Sequence, residues 1–227
     1  MPDPRADAPD LAPLIDHALL DPRQGSEAVR RCCEEARHHG FAGVCLASRW
    51  MPQAREWLGG KGPTRLVSVI GFPFGAVAGP LKRAEAEWAA EHGAEELDVV
   101  PDFALLLDGQ ATALHDELAA IVELGLPVKL ILESAQLEAP ALETLVEVGL
   151  DAGVAFLKTG TGLGPAATPT DVARLRELAR GRCAIKASGG IRDLDGALAL
   201  VAAGASRLGT SRGGLLVEAQ RRAGRGA

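Results

Sequence analysis

Short apolar runs alternate with stretches of helical periodicity at intervals of about 20 to 30 residues, the pattern of strand-helix units that feed a parallel sheet. Eight runs read as strands: LIDHALL from Leu14, GVCLA from Gly43, RLVSVIGF from Arg65, ELDVV from Glu96, PVKLILE from Pro127, VAFLKTG from Val154, CAIKASG from Cys183 and SRLGTS from Ser206. Each is followed by a helix candidate. Pro80 suits a first helical position, and Thr168 followed by Pro169 and Asp171 has the make-up of an N-cap with acidic support in the first turn. Gly40, Gly93, Gly125, Gly181 and Gly204 stand where helices should stop. The units share a length but little sequence, and no linker divides them. The pattern therefore predicts an α/β fold, a single closed (β/α)8 TIM barrel over residues 13–220, with a doubly wound open sheet as the alternative.

Composition supports one sizeable core: 227 residues with 47% hydrophobic content bury enough surface for a large domain. A net charge of −6 leaves no broad electropositive face, so nucleic acid is not expected as a partner. No apolar run reaches membrane-spanning length, and the acidic, proline-rich opening MPDPRADAPD lacks the apolar stretch of a secretory signal. Residues 1–12 are expected to fray, and residues 221–227, with Arg221, Arg222 and Arg225, to form a solvated basic tail. Cys32 and Cys33 are adjacent, and Cys45 and Cys183 lie far off, so neither a metal-type pair nor a disulfide framework is expected. A cytoplasmic, reduced setting fits that usage.

The lysines change the picture. There are five, Lys61, Lys82, Lys129, Lys158 and Lys186, against nineteen arginines, and the last three fall in consecutive predicted strands. Arginine stays protonated, whereas a lysine amine can shed its proton and form a Schiff base with a carbonyl. A lone strand lysine ordinarily snorkels or pairs with a carboxylate; three on consecutive strands argue for amine chemistry. Lys158 and Lys186 end the sixth and seventh strands, which makes them neighbours at the barrel mouth, where such barrels gather their chemistry. At about 4 Å and an effective dielectric near 20, the repulsion of two ammonium groups is roughly 4 kcal/mol, about three pKa units. The sequence thus predicts that this repulsion, aided by burial, brings one amine down towards neutrality.

Glycines follow both lysines. Gly160 and Gly162 come after Lys158, Gly189 and Gly190 after Lys186, and Gly209, Gly213 and Gly214 flank Thr210 and Ser211. Any one of them can simply turn the chain. Grouped after three successive strands, with two hydroxyls and a helix start, they predict a phosphate site at Gly162, Gly189, Gly190, Thr210 and Ser211.

The segments LIDHALL, GVCLA, VIGFPFGA, ELDVV, VKLILE, FLKTGTG, IKASGGIR and RLGTS, in this order, closely resemble those of deoxyribose-phosphate aldolase, a class I aldolase family, from about Leu14 to Gly214. The resemblance implies a (β/α)8 barrel that cleaves 2-deoxyribose 5-phosphate reversibly into glyceraldehyde 3-phosphate and acetaldehyde, with no metal or other cofactor, as a homodimer. It places the Schiff-base lysine on Lys158, the pKa-lowering lysine on Lys186 and a proton-relay carboxylate on Asp98. Asp16 and Thr159 are expected to support that relay. Lys129 and Glu133 share strand parity and are expected to pair beside the site. Cys45 matches a family cysteine near the mouth, but reads first as a small buried hydrophobe.

Departures from the family pattern bear on specificity. Gly160 replaces the serine usual after Lys-Thr, and Ser211 is followed by Arg212 in place of a second serine. Pro101 and Asp102 follow ELDVV where isoleucine and asparagine are common, and the chain has no tyrosine for a tail-assisted proton step. Two further readings stay open: another lysine-dependent aldolase on the same barrel, and a phosphosugar-binding barrel without turnover.

Overall fold

The computed structural model describes residues 8–225. Eight parallel strands close in sequence order, each hydrogen-bonded to the next and the eighth to the first. They are β1 (Ile15–Leu19), β2 (Gly43–Ala47), β3 (Arg65–Ile70), β4 (Glu96–Val99), β5 (Val128–Ile131), β6 (Phe156–Lys158), β7 (Ala184–Ser188) and β8 (Arg207–Thr210). All eight predicted strands are present, seven of them trimmed at their ends and β2 with the expected bounds, and the open-sheet alternative is excluded by the β1–β8 pairing.

The outer ring consists of α1 (Ser26–His39), α2 (Met51–Leu58), α3 (Gly79–Glu91), α4 (Phe103–Leu107), α5 (Ala111–Val122), α6 (Ala139–Ala152), α7 (Pro169–Ala179), α8 (Leu194–Ala203) and α9 (Gly213–Arg225). Local chemistry sets their ends. Thr168 and Asp171 form a reciprocal capping box at the start of α7, which satisfies two otherwise orphaned N–H groups. Gly40 and Gly204 close α1 and α8 in the left-handed region. Asp102, one of the departures from the family pattern, caps α4 by accepting from the Ala104 and Leu105 N–H groups.

Strand parity divides the core in two. Val44, Leu46, Leu66, Leu97, Leu130, Leu157, Ile185 and Leu208 point outward into one large apolar layer shared with the helices. The alternate residues point into the barrel. There Cys45, Val67 and Val69 make a small separate apolar cluster, while β1 and β4 to β8 contribute charged side chains. Two glycines open room for them: a Cβ at Gly43 would lie 2.8 Å from Asp16 Oδ1, and one at Gly209 would lie 3.1 Å from Lys186 Cε.

The ends differ from expectation. Leu11 is fully buried, its N–H donates to Gln220 Oε1, and Gln220 Nε2 donates to Pro9 O, so α9 holds residues 9–12 in place. Residues 1–7 of the segment expected to fray lie outside the described residues. Arg221 and Arg222, assigned to a tail, belong to α9, where Arg222 pairs with Glu218 at 3.1 Å. Among the described residues, no helix is long and apolar enough to cross a membrane.

Candidate active site

The register of the barrel delivers the site. Asp98 on β4 stands beside Lys129 on β5, Lys158 on β6 beside Lys186 on β7, and Lys186 in turn beside Arg207 on β8. All are inward positions, and Asp16, Asp98, Lys129, Lys158 and Lys186 are almost wholly shielded from solvent. A charged side chain is costly to bury unless paired, and here each is paired.

Asp98 is the hub. Its Oδ2 accepts from Lys158 Nζ at 2.9 Å and Lys186 Nζ at 2.7 Å, and its Oδ1 accepts from Lys129 Nζ at 2.9 Å. Lys186 also donates to Asp16 Oδ2 at 2.5 Å, and Lys129 pairs with Glu96 at 2.6 Å. Arg207 completes the ring, reaching Asp16 at 2.7 Å and Glu96 at 3.1 Å while its guanidinium lies over the Phe156 ring. Four cations thus face three carboxylates. Loss of one lysine proton would neutralise the cluster, and Lys158 is the lysine held by a single carboxylate oxygen that it must share.

The electrostatics revise the two-ammonium argument. Lys158 and Lys186 are neighbours, as predicted, but Asp98 lies between them. Burial works to lower the Lys186 pKa; the attraction of Asp16 and Asp98 overcomes it and holds the amine above the usual lysine range. Lys186 therefore stays charged. Burial likewise works to raise the carboxyl groups, yet Lys129, Lys158 and Lys186 hold Asp98 well below its ordinary range, and Lys186, Lys129 and Arg207 hold Asp16 near 2. The Cys45 thiol, 3.7 Å from Asp98 Oδ2, is pushed up to about 11 by burial and by that carboxylate, in keeping with its reading as a buried hydrophobe.

A stability prediction follows for Asp16. Its folded pKa lies below the unfolded value, so the stability it contributes is complete above about pH 4 and is lost as pH falls towards 2. The depression corresponds to about 2 kcal/mol. Denaturant titrations should show wild-type stability falling in that window, with a shallower fall for Asp16→Asn. Equal slopes would contradict the assignment.

Two expected roles are corrected. Lys129 does not pair with Glu133: β5 ends at Ile131, Glu133 adopts a left-handed backbone with φ 48°, and parity is lost before it. Its carboxylate reaches the loop after β6, where it accepts from Thr161 N at 2.6 Å, and within its own loop it accepts from Gln136 Nε2 at 2.8 Å. Thr159 is spent on a strand-end tie, its hydroxyl donating to Ser188 O and accepting from Ser188 N.

The candidate phosphate residues gather at the carboxyl ends of β6 to β8. Gly162 and Gly189 face each other closely: a Cβ on Gly189 would lie 3.3 Å from the Gly162 Cα, and both have positive φ. Gly190 makes room for Ala166, and the Thr210 hydroxyl holds the turn into α9 by donating to Ile191 O and accepting from Arg212 N. Ser211 and Arg212 are exposed at that turn. Gly213 and Gly214 have a packing cause instead, since a Cβ on either would strike Phe41 or Glu35. Arg207 and Glu96 escaped the sequence reading, although Glu96 shares inward parity with Asp98, and Arg207 shares it with Gly209 beside Asp16.

An inward ring of amines and carboxylates inside a (β/α)8 barrel, with Lys158 shielded from solvent among them, is equipped for the lysine–carbonyl chemistry that class I aldolases use. The chain is 51% identical over 205 residues to deoxyribose-phosphate aldolase of a Cyanothece species, and 49% identical over 205 residues to that of Trichormus variabilis, with 90% of each chain covered in both cases. It belongs to the deoxyribose-phosphate aldolase family. A solved tetrameric deoxyribose phosphate aldolase from Aeropyrum pernix has a TM-score of 0.85 to this fold at 37% identity, covering 93% of this chain and 91% of that one. No family model matches the chain.

Proposed function

We infer that the protein cleaves 2-deoxy-D-ribose 5-phosphate reversibly to D-glyceraldehyde 3-phosphate and acetaldehyde, with Lys158 as the Schiff-base former. The observation that carries the reading is the shared Asp98 oxygen, which sets Lys158 against a Lys186 that is charged in the resting enzyme, in a cluster with one cation in excess. A free Lys158 amine adds to the aldehyde carbon of the open-chain sugar and expels water, leaving an iminium. The bond between the second and third carbons then breaks: its electrons flow into the iminium to give an enamine, and the third-carbon hydroxyl loses its proton as the new aldehyde forms. Protonation of the enamine carbon and hydrolysis release acetaldehyde and restore the amine.

Asp98 and Lys186 act in this scheme as one unit. A carboxylate so strongly held by cations is a weak base by itself, so the proton it takes, through a water, from the sugar hydroxyl is matched by one that Lys186 returns. Asp16, Glu96, Lys129 and Arg207 fix the unit in place and keep the charge count. The glycine turns at Gly162 and Gly189, with Gly190, Thr210, Ser211 and the start of α9, are the proposed seat of the substrate phosphate. The exposed Arg212 adds a cation beside it. No cofactor enters this scheme.

A homodimer is the proposed assembly, since symmetric dimers are the commonest oligomers of soluble enzymes. Its mass in solution distinguishes it from a tetramer of the kind described for the Aeropyrum relative. A cytoplasmic setting is proposed in keeping with four unpaired cysteines. Incubation with 2-deoxyribose 5-phosphate and identification of the products tests the activity: acetaldehyde with glyceraldehyde 3-phosphate is the expected pair. Different products from a lysine-labelled enzyme would point to another aldolase, and no turnover to a binding barrel.

A further inference from the structure

Glu133 is left without its expected lysine, and its actual contacts are informative. It sits just past the end of β5, is half-buried, and holds a left-handed backbone that a side chain beyond Cβ rarely adopts. Such a conformation persists where surrounding contacts impose it. Here the carboxylate reaches across to the segment directly after Lys158 and accepts from the Thr161 N–H at 2.6 Å, while its other oxygen accepts from Gln136. The same segment gives it space: a Cβ on Gly160 would lie 3.1 Å from Glu133 Oε2, and one on Gly164 would lie 2.9 Å from it. Neighbouring bonds secure the rest of the turn, with Ser134 N donating to Thr159 O and Ser188 Oγ donating to Gly160 O. Glu133 therefore clamps the residue immediately before Gly162, which packs against Gly189.

We propose that Glu133 is a positioning residue for the phosphate seat: its bond to Thr161 N holds the turn after β6 in the register that presents Gly162 and Gly189 to the substrate's phosphate. It touches no reacting atom and acts through the loop. The inference rests on reading those glycine turns as the phosphate seat. Its consequence is a loss confined to phosphorylated substrate, because Lys158 and Asp98 keep all their own contacts when the clamp is removed.

Three variants separate reach from charge. Glu133→Ala removes the acceptor, Glu133→Asp keeps the charge but is one methylene too short, and Glu133→Gln keeps both reach and an acceptor oxygen. For each, kcat/KM is measured with 2-deoxyribose 5-phosphate and with unphosphorylated 2-deoxyribose, and Lys158 is labelled with acetaldehyde and borohydride to check the catalytic centre. The expected result is a fall of about tenfold in the ratio of the two kcat/KM values for Ala and Asp, carried by KM for the phosphorylated sugar, with Gln within about threefold of wild type and labelling intact in all. If Ala does not fold, Asp decides. An unchanged ratio in Asp, or an equal fall on both sugars, overturns the proposal. A wild-type enzyme with no preference for the phosphorylated sugar removes the phosphate reading itself, and the inference with it; a wild-type preference that Asp retains removes the inference alone.

Discussion

Lys158→Arg should abolish turnover of 2-deoxyribose 5-phosphate, by roughly 10⁴- to 10⁶-fold in kcat, the scale seen when a covalent nucleophile is lost. The substitution keeps a cation opposite Asp98, so the cluster retains its four positive and three negative members and the barrel should stay folded. What disappears is an amine able to give up its proton and bond to carbon. The thermal midpoint should remain within a few degrees of wild type, which separates loss of chemistry from loss of structure. Turnover comparable to wild type in this variant would place the reaction on another residue.

The second large effect concerns pH. Both Lys158 Nζ and Lys186 Nζ bond to one oxygen of Asp98, so they lie within about 6 Å of each other. At about 5 Å and an effective dielectric near 20, removing a fixed charge changes its neighbour's protonation energy by roughly 3 kcal/mol, about two pH units, part of which Asp98 screens. Lys186 is held above its ordinary range and stays charged in the resting enzyme. Lys186→Leu leaves three cations for three carboxylates, so the neutral amine forms only at higher pH and the rising limb of the pH–rate profile should move up by about one to two units. The variant also strands Asp16 and Asp98 one partner short, a loss of stability of about 3 to 5 kcal/mol visible in denaturant melts. A profile that does not move would remove Lys186 from the role given to it.

The outline of the fold was legible because its period was regular: eight apolar runs with helix punctuation between them map onto eight strands, and the Thr168–Asp171 cap is where the sequence placed it. The lysine neighbours were legible for the same reason, since strand ends in a barrel of known order fix who stands beside whom. Pairing partners were not. Lys129 and Glu133 looked like a couple on parity, but parity holds only within a strand, and β5 ends two residues before Glu133. Asp98 as the counter-ion between Lys158 and Lys186 required the radius of the barrel, which lets a side chain on β4 reach across the interior to one on β7, three strands along. A pattern along the chain carries no such distance. Arg207 was hidden among nineteen arginines; only the β7–β8 register shows that it points inward at Asp16 and Glu96. Glycines divided along the same line. Gly213 and Gly214 serve packing against Phe41 and Glu35, whereas Gly162 and Gly189 meet at the mouth, and composition could not sort one kind from the other.

The most direct test of the account is to treat the protein with acetaldehyde and borohydride and locate the adduct by peptide mass spectrometry. Reduction of an imine adds an ethyl group, and the account predicts that it appears on Lys158, with Lys129 and Lys186 unmodified. An adduct found only on Lys186, or a protein that gains no mass under conditions where it turns over substrate, would contradict it.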